Sequence, residues 1–179
     1  MEVAESKINA PKFVKLQIKE FLSIANNKDS RYKIDENKVR TIGELLKLLI
    51  MPKGLKANAT VYDAMAGFQW LFIIAIMCTV ERDNPDKRRY ENAILEICRK
   101  NGKTFLIAVL FILLFFIEPK FSKFYSVAPD GSLSREIKTA IEEILRSSPA
   151  MLGKMNGKEK FKMLRDYIHC NITENRYLS

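Results

Sequence analysis

The chain has 179 residues, 47% of them hydrophobic, and carries 30 Lys and Arg against 21 Asp and Glu, a formal net charge of +9. That length suits about one domain with a core able to fold without disulfide or metal support, and the charge points to phosphate-bearing partners rather than cationic ones. Only seven Gly and six Pro interrupt the sequence, and its β-branched residues are mostly Ile set among Leu, Phe, Lys and Glu, which favours helix. The expected fold is all-α: a compact bundle of about seven helices in a single helical domain over 1–179, with a looser helical segment at 150–179.

Met1–Ala10 holds Glu2 and Glu5 and no apolar stretch, so no secretory leader is expected. After Pro11, Val14, Ile18, Phe21, Leu22 and Ala25 recur at helical spacing, and Asn26 to Asp29 supplies the stop. Lys12, Lys15 and Lys19 fall on the other face of that helix. A second helix is predicted from about Asp35 to Met51, with Val39, Ile42, Leu45, Leu46 and Leu49 inward and Pro52 and Gly54 ending it. Thr60 with Asp63 three residues on marks the start of a third helix. It carries the first of two uncharged apolar runs, Ala64–Val80, and should stop near Glu81, before Pro85. Asp86 to Lys100 reads as an amphipathic helix with Tyr90, Ala93, Ile94 and Ile97 inward, closed by Asn101 and Gly102.

The second apolar run, Phe105–Ile117, follows. As helices the two runs would span about 25 and 20 Å, short of the roughly 30 Å hydrocarbon core of a bilayer. They are therefore expected as two buried central helices, with Trp70 and the phenylalanines in the core, rather than as a membrane hairpin or two spans. Beyond them, Lys120 and Lys123 alternate with Phe121, Phe124 and Tyr125, and Ala128 to Gly131 forms a turn. Ser134 is expected to cap a helix running to Pro149 with Ile137, Ala140, Ile141, Ile144 and Leu145 inward. A last helix, past Gly153 and Gly157, would place Phe161, Leu164 and Ile168 on one side.

Catalysis finds no constellation. His169 and Cys170 are adjacent, and neighbouring helical side chains diverge by about 100°, so they make no dyad. Glu142 and Glu143 read as a solvated helix face, and one His with scattered Cys78, Cys98 and Cys170 is too few for a metal site or a disulfide framework. No enzyme activity, cofactor, metal or small-molecule substrate is expected. The unpaired thiols fit a reducing, intracellular compartment, and the sequons at Asn58 and Asn171 then read as chance matches.

The basic residues fall into groups: Lys12, Lys15 and Lys19; Lys87, Arg88 and Arg89; Lys120 and Lys123; and Lys154, Lys158, Lys162 and Arg165, which a final helix would align. Such faces attract RNA backbone or anionic lipid headgroups, and the tyrosines and phenylalanines interleaved with them offer stacking surfaces. Gly67-Phe68, Glu81-Arg82, Lys87 to Tyr90 and Asn92 to Leu95 resemble a stretch of orthomyxovirus matrix proteins, as does the Leu45–Pro52 helix and its stop, over residues 43–95. The resemblance implies an all-helical viral structural protein that self-associates beneath an envelope and binds ribonucleoprotein and acidic lipid, with Lys87, Arg88 and Arg89 as contacts. The expected role is thus non-catalytic, of matrix or nucleocapsid type, with RNA or ribonucleoprotein, an anionic membrane surface and further copies of itself as partners, in a virion or at the inner face of a membrane. The alternative is a helical protein–protein interaction module similar to viral Bcl-2-like folds, taking a partner helix in a groove.

Overall fold

The structure, a computed structural model, describes residues 11–29 and 31–179, so Met1–Ala10 lies outside it. Among the described residues are six α-helices and eight short strands in three sheets. The chain is a mixed α/β protein, which corrects the all-α, seven-helix expectation. It divides into two compact units: residues up to Arg40 with Trp70–Ile94, and Thr41–Gln69 with Leu95–Ser179.

In the first unit, α1 (Lys12–Ala25) opens after Pro11 and ends where Asn26 N–H donates to Leu22 O (2.9 Å), much as the periodicity predicts. The Asp29 carboxylate then accepts from the backbone N–H of Arg31 (2.8 Å) and Tyr32 (2.9 Å), and this turn launches β1 (Tyr32–Ile34). β1 pairs antiparallel with β2 (Thr79–Glu81) in the register Tyr32↔Glu81. The helix expected over Asp86–Lys100 does not form. Its opening residues lie extended against β2, with Glu81 N–H donating to Lys87 O (3.0 Å), Arg89 N–H to Thr79 O (2.9 Å) and Arg88 bridging Val80. Residues 91–98 have no regular secondary structure, and Ile94, expected inward, is 91% exposed.

Two helices contribute residues to both units. α2 (Glu36–Leu48) is capped by Asp35, whose carboxylate accepts from the N–H groups of Asn37 (3.0 Å) and Lys38 (3.1 Å), and it ends three residues short of Met51. The first apolar run is not one helix. Thr60 Oγ1 does accept from Asp63 N–H (3.1 Å), but it caps only α3 (Val61–Ala64), because Met65 turns extended. Gln69 Oε1 takes Ala66 N–H (2.9 Å) to start α4 (Gly67–Cys78), and the end of the run enters β2.

In the second unit, α5 (Lys103–Ile117) is the second apolar run, as expected, and buries seven side chains from Leu106 to Phe115. Fully burying each large one contributes about 1.5–3 kcal/mol. α6 (Gly131–Ser147) packs against α5. It begins ahead of Ser134, which sits inside the first turn and donates to Gly131 O (3.1 Å) instead of capping. Exposure also corrects part of the aromatic core: Phe13 and Phe121 are 77% and 73% exposed.

The expected last helix is a set of strands. β4 (Lys154–Met155) and β5 (Lys158–Glu159) form a hairpin over Asn156 and Gly157, both at positive φ (53° and 80°), the backbone that a tight two-residue hairpin turn requires. β3 (Lys123–Tyr125), β6 (Phe161–Met163), β7 (Tyr167–Cys170) and β8 (Asn175–Leu178) build a four-stranded sheet in the order β3-β8-β7-β6, with β3 parallel to β8 and the other pairs antiparallel. Its inner face lies on α5: Phe111 meets Tyr177 (centroids 4.7 Å apart), and Phe115 meets Phe124 (5.9 Å) and Phe161 (5.6 Å). Asn175, fully buried, fastens the sheet to the helix end. Its Nδ2 donates to Phe115 O (3.0 Å) and Glu118 O (3.4 Å) while its Oδ1 accepts from Ser122 N–H (2.8 Å). No described helix is long and apolar enough to cross a membrane.

Candidate nucleic-acid interface

Side chains alternate between the faces of a strand, so the register of the four-stranded sheet sorts its residues into rows. Phe161, Cys170 and Asn175 form one inner row, and Met163, Ile168, Tyr177 and Phe124 another. Between them, Lys162 stands opposite His169, His169 opposite Arg176, and Arg176 opposite Lys123. One outward row therefore carries a basic-type residue on every strand. The next outward row holds Tyr125, Leu178 and Tyr167. Two residues of strand separate the rows, about 7 Å.

Burial agrees with this assignment. Lys123, Lys162 and Arg176 are exposed, Tyr125 is 60% exposed, and the inner rows are mostly buried. The centre of the basic row is tied together: Arg176 Nε donates to His169 Nδ1 (3.3 Å), and the Glu174 carboxylate sits 2.9 Å from His169 Nε2. His169 is thereby covered, while the Arg176 guanidinium lies 5.8 Å from the Tyr167 ring centre. Lys123 and Lys162 have no carboxylate partner among the described residues. The outer strands are three strand spacings apart, about 14 Å, so the face presents spaced cations beside a strip of tyrosine and leucine.

Only part of the sequence-predicted set assembles here. Lys123 and Lys162 lie on the face itself, Arg165 in the β6–β7 connection and Lys120 ahead of β3. Lys154 and Lys158 are on the β4–β5 hairpin, at successive register positions and so on opposite sides of it. The single helix face expected for Lys154, Lys158, Lys162 and Arg165 does not exist. His169 and Cys170 also occupy a strand, on opposite faces, and this keeps them from acting as a pair.

On α1, Lys12 and Lys19 are exposed and Lys15 half-buried, on the shared face expected for them. The Lys87–Arg89 group is largely committed internally. Lys87 Nζ lies 3.2 Å from the Glu81 carboxylate, and this lysine, followed by Arg31, holds the Glu81 carboxyl below the usual glutamate range. Arg89 pairs with Glu20 and lies over the rings of Tyr32 (4.6 Å) and Tyr90 (5.0 Å), with its side chain 15% exposed. Arg88 is half-buried and engaged.

The residues of this face that the sequence did not single out are Arg176, Leu178 and Tyr167. Their signal is the alternation of buried and exposed positions along 175–178 and 167–170, visible once those stretches are read with period two. Comparison of the chain with protein-family models, with curated proteins and with solved structures finds no match.

Proposed function

We propose that this chain is a non-catalytic protein that binds single-stranded RNA across the outer face of the β3-β8-β7-β6 sheet. The observation that carries the reading is the pair of parallel rows, Lys123, Arg176, His169 and Lys162 beside Tyr125, Leu178 and Tyr167. Lys123, Arg176 and Lys162 track the phosphates, and aromatic faces accept unpaired bases irrespective of sequence, at about 1–3 kcal/mol per stacked base. A duplex hides its bases and offers the tyrosines nothing. Such sequence-tolerant binding suits a nucleocapsid-type role in which copies coat a strand.

The test is fluorescence anisotropy with a labelled single strand, the matching duplex and anionic vesicles as competitor. Tyr125→Ala and Tyr167→Ala should each weaken single-strand binding by about tenfold and leave duplex binding unchanged. Single-strand affinity insensitive to both substitutions, or vesicles displacing RNA completely at equal charge, would refute the proposal.

A further inference from the structure

On the other side of β6, a pocket of about 330 Å³ opens between the last turn of α6, the segment around Met151 and the β4–β5 hairpin. Three cations line it, Arg146, Lys154 and Lys160, against one acid, Glu159, which faces Lys154 across the hairpin. Among the described residues none of the three cations has a carboxylate within ion-pair distance. Lys160 is held in place at its backbone by bonds to Gly153 O (3.0 Å) and from Asn171 N–H (2.9 Å), and its Nζ donates to Ala150 O (2.8 Å). Two further donors remain on that ammonium.

The floor is apolar. Met151 and Phe161 are buried there, and Met163, half-buried, joins them from β6. Strand alternation separates this site from the proposed RNA face, since Phe161 and Met163 point inward where Lys162 points outward. Pockets for small ligands begin at roughly 300 Å³ and combine an apolar lining with a few converging polar groups. A flat heteroaromatic ring fits the thioether and phenyl floor, and a terminal phosphate, carrying a charge of roughly −1.5 to −2, fits the cationic rim better than a phosphodiester does.

We infer that this pocket binds a nucleoside monophosphate group, supplied either by a free mononucleotide or by the phosphorylated end of a nucleic acid strand. Arg146 and Lys154 take the phosphate, Lys160 closes the third side, and the base rests on Met151, Phe161 and Met163.

The experiment uses three probes: adenosine monophosphate, an octanucleotide with a terminal phosphate at either end, and the same octanucleotide with hydroxyl ends. For the wild-type chain, calorimetry should register saturable binding of adenosine monophosphate, or anisotropy a fivefold or greater preference for a phosphorylated end; the first result alone identifies a free mononucleotide, the second a strand end. R146A/K154A should abolish the effect while hydroxyl-ended strands bind within twofold of wild type. Substitution of Lys123, Lys162 and Arg176 should weaken all strands and preserve the preference. No adenosine monophosphate binding together with equal affinity for both strands overturns the inference, as does an effect that survives R146A/K154A. Loss of strand binding with intact adenosine monophosphate binding would instead sink the RNA reading and leave this one standing.

Discussion

Replacing Lys123, Lys162 and Arg176 together by Gln removes the exposed cations of the outer row and leaves the inner row and the Asn175 fastening in place. The three lie on three different strands at one register level, so a strand laid across the sheet meets all of them. Each phosphate neutralised on a single strand contributes about 0.7 to the slope of log affinity against log salt. Three contacts therefore account for a slope of about 2, which between roughly 50 and 200 mM salt amounts to about a 20-fold change in affinity. The triple variant should bind more weakly at low salt and lose that share of the salt dependence, as read from anisotropy titrations at four salt concentrations. The matched control is K12Q/K15Q/K19Q on α1, which removes the same charge elsewhere. If both triple variants flatten the slope equally, net charge rather than the sheet face governs binding and the reasoning is wrong.

Asn175→Ala should cost about 2–4 kcal/mol, since three hydrogen bonds disappear and the Phe115 and Ser122 backbone groups lose a partner; at roughly 2–4 °C per kcal/mol for a chain this long, calorimetry should record Tm lowered by about 5–15 °C. Thiol labelling of the native protein at pH 8 should modify Cys98, which is exposed, and spare Cys78 and Cys170, which are buried. Burial, followed by the nearby Asp35 charge, pushes the Cys78 thiol up to about 12, so reaction there before unfolding would contradict the fold. Asp29 accepts from Tyr32 N–H and Arg31 N–H, and these bonds hold its carboxyl below the ordinary value of 3.8. A depressed carboxyl stabilises the fold above its unfolded pKa and ceases to do so as pH falls through the lower folded value. Asp29→Ala should therefore destabilise at neutral pH, with the gap between its denaturation midpoint and that of wild type narrowing as pH falls below the ordinary carboxylate range; a pH-independent difference would refute the role of the charge.

The helices with a long one-sided or all-round apolar pattern were legible. Val14, Ile18 and Phe21 identify α1, Ile42 and Leu46 identify α2, and the uncharged Phe105–Ile117 could be little else than the buried α5. The sheet was not. Phe161, Leu164 and Ile168 fit a helical spacing of three and four, yet Phe161, Met163 and then Ile168, Cys170 fit a strand spacing of two equally well, and strands of two to four residues are too short for period to decide. Asn156 and Gly157 were the better guide, because consecutive positive φ values suit a hairpin and cannot continue a helix. At Asp86 the helical pattern was real, but tertiary pairing of 87–89 with β2 overrode local preference. Of the basic candidates, Lys123 and Lys162 lie on this sheet face. Their neighbourhood with Arg176 and Tyr167 arises only from strand register, which no linear spacing expresses.

The parallel pairing of β3 with β8 has a kinetic consequence. Residues 122 and 175, joined at this seam, are 53 positions apart, and closing a loop of that length costs about 3.5 kcal/mol of chain entropy before any contact offsets it. The β6–β7 hairpin, closed through Leu164 N–H to Tyr167 O, pays far less and can form early. A refolding chain should thus pass through a three-stranded β6-β7-β8 sheet to which β3 is added last, bringing Lys123 and Tyr125 with it. If the proposed RNA face is the binding surface, RNA affinity then recovers more slowly than the far-ultraviolet signal of the helices.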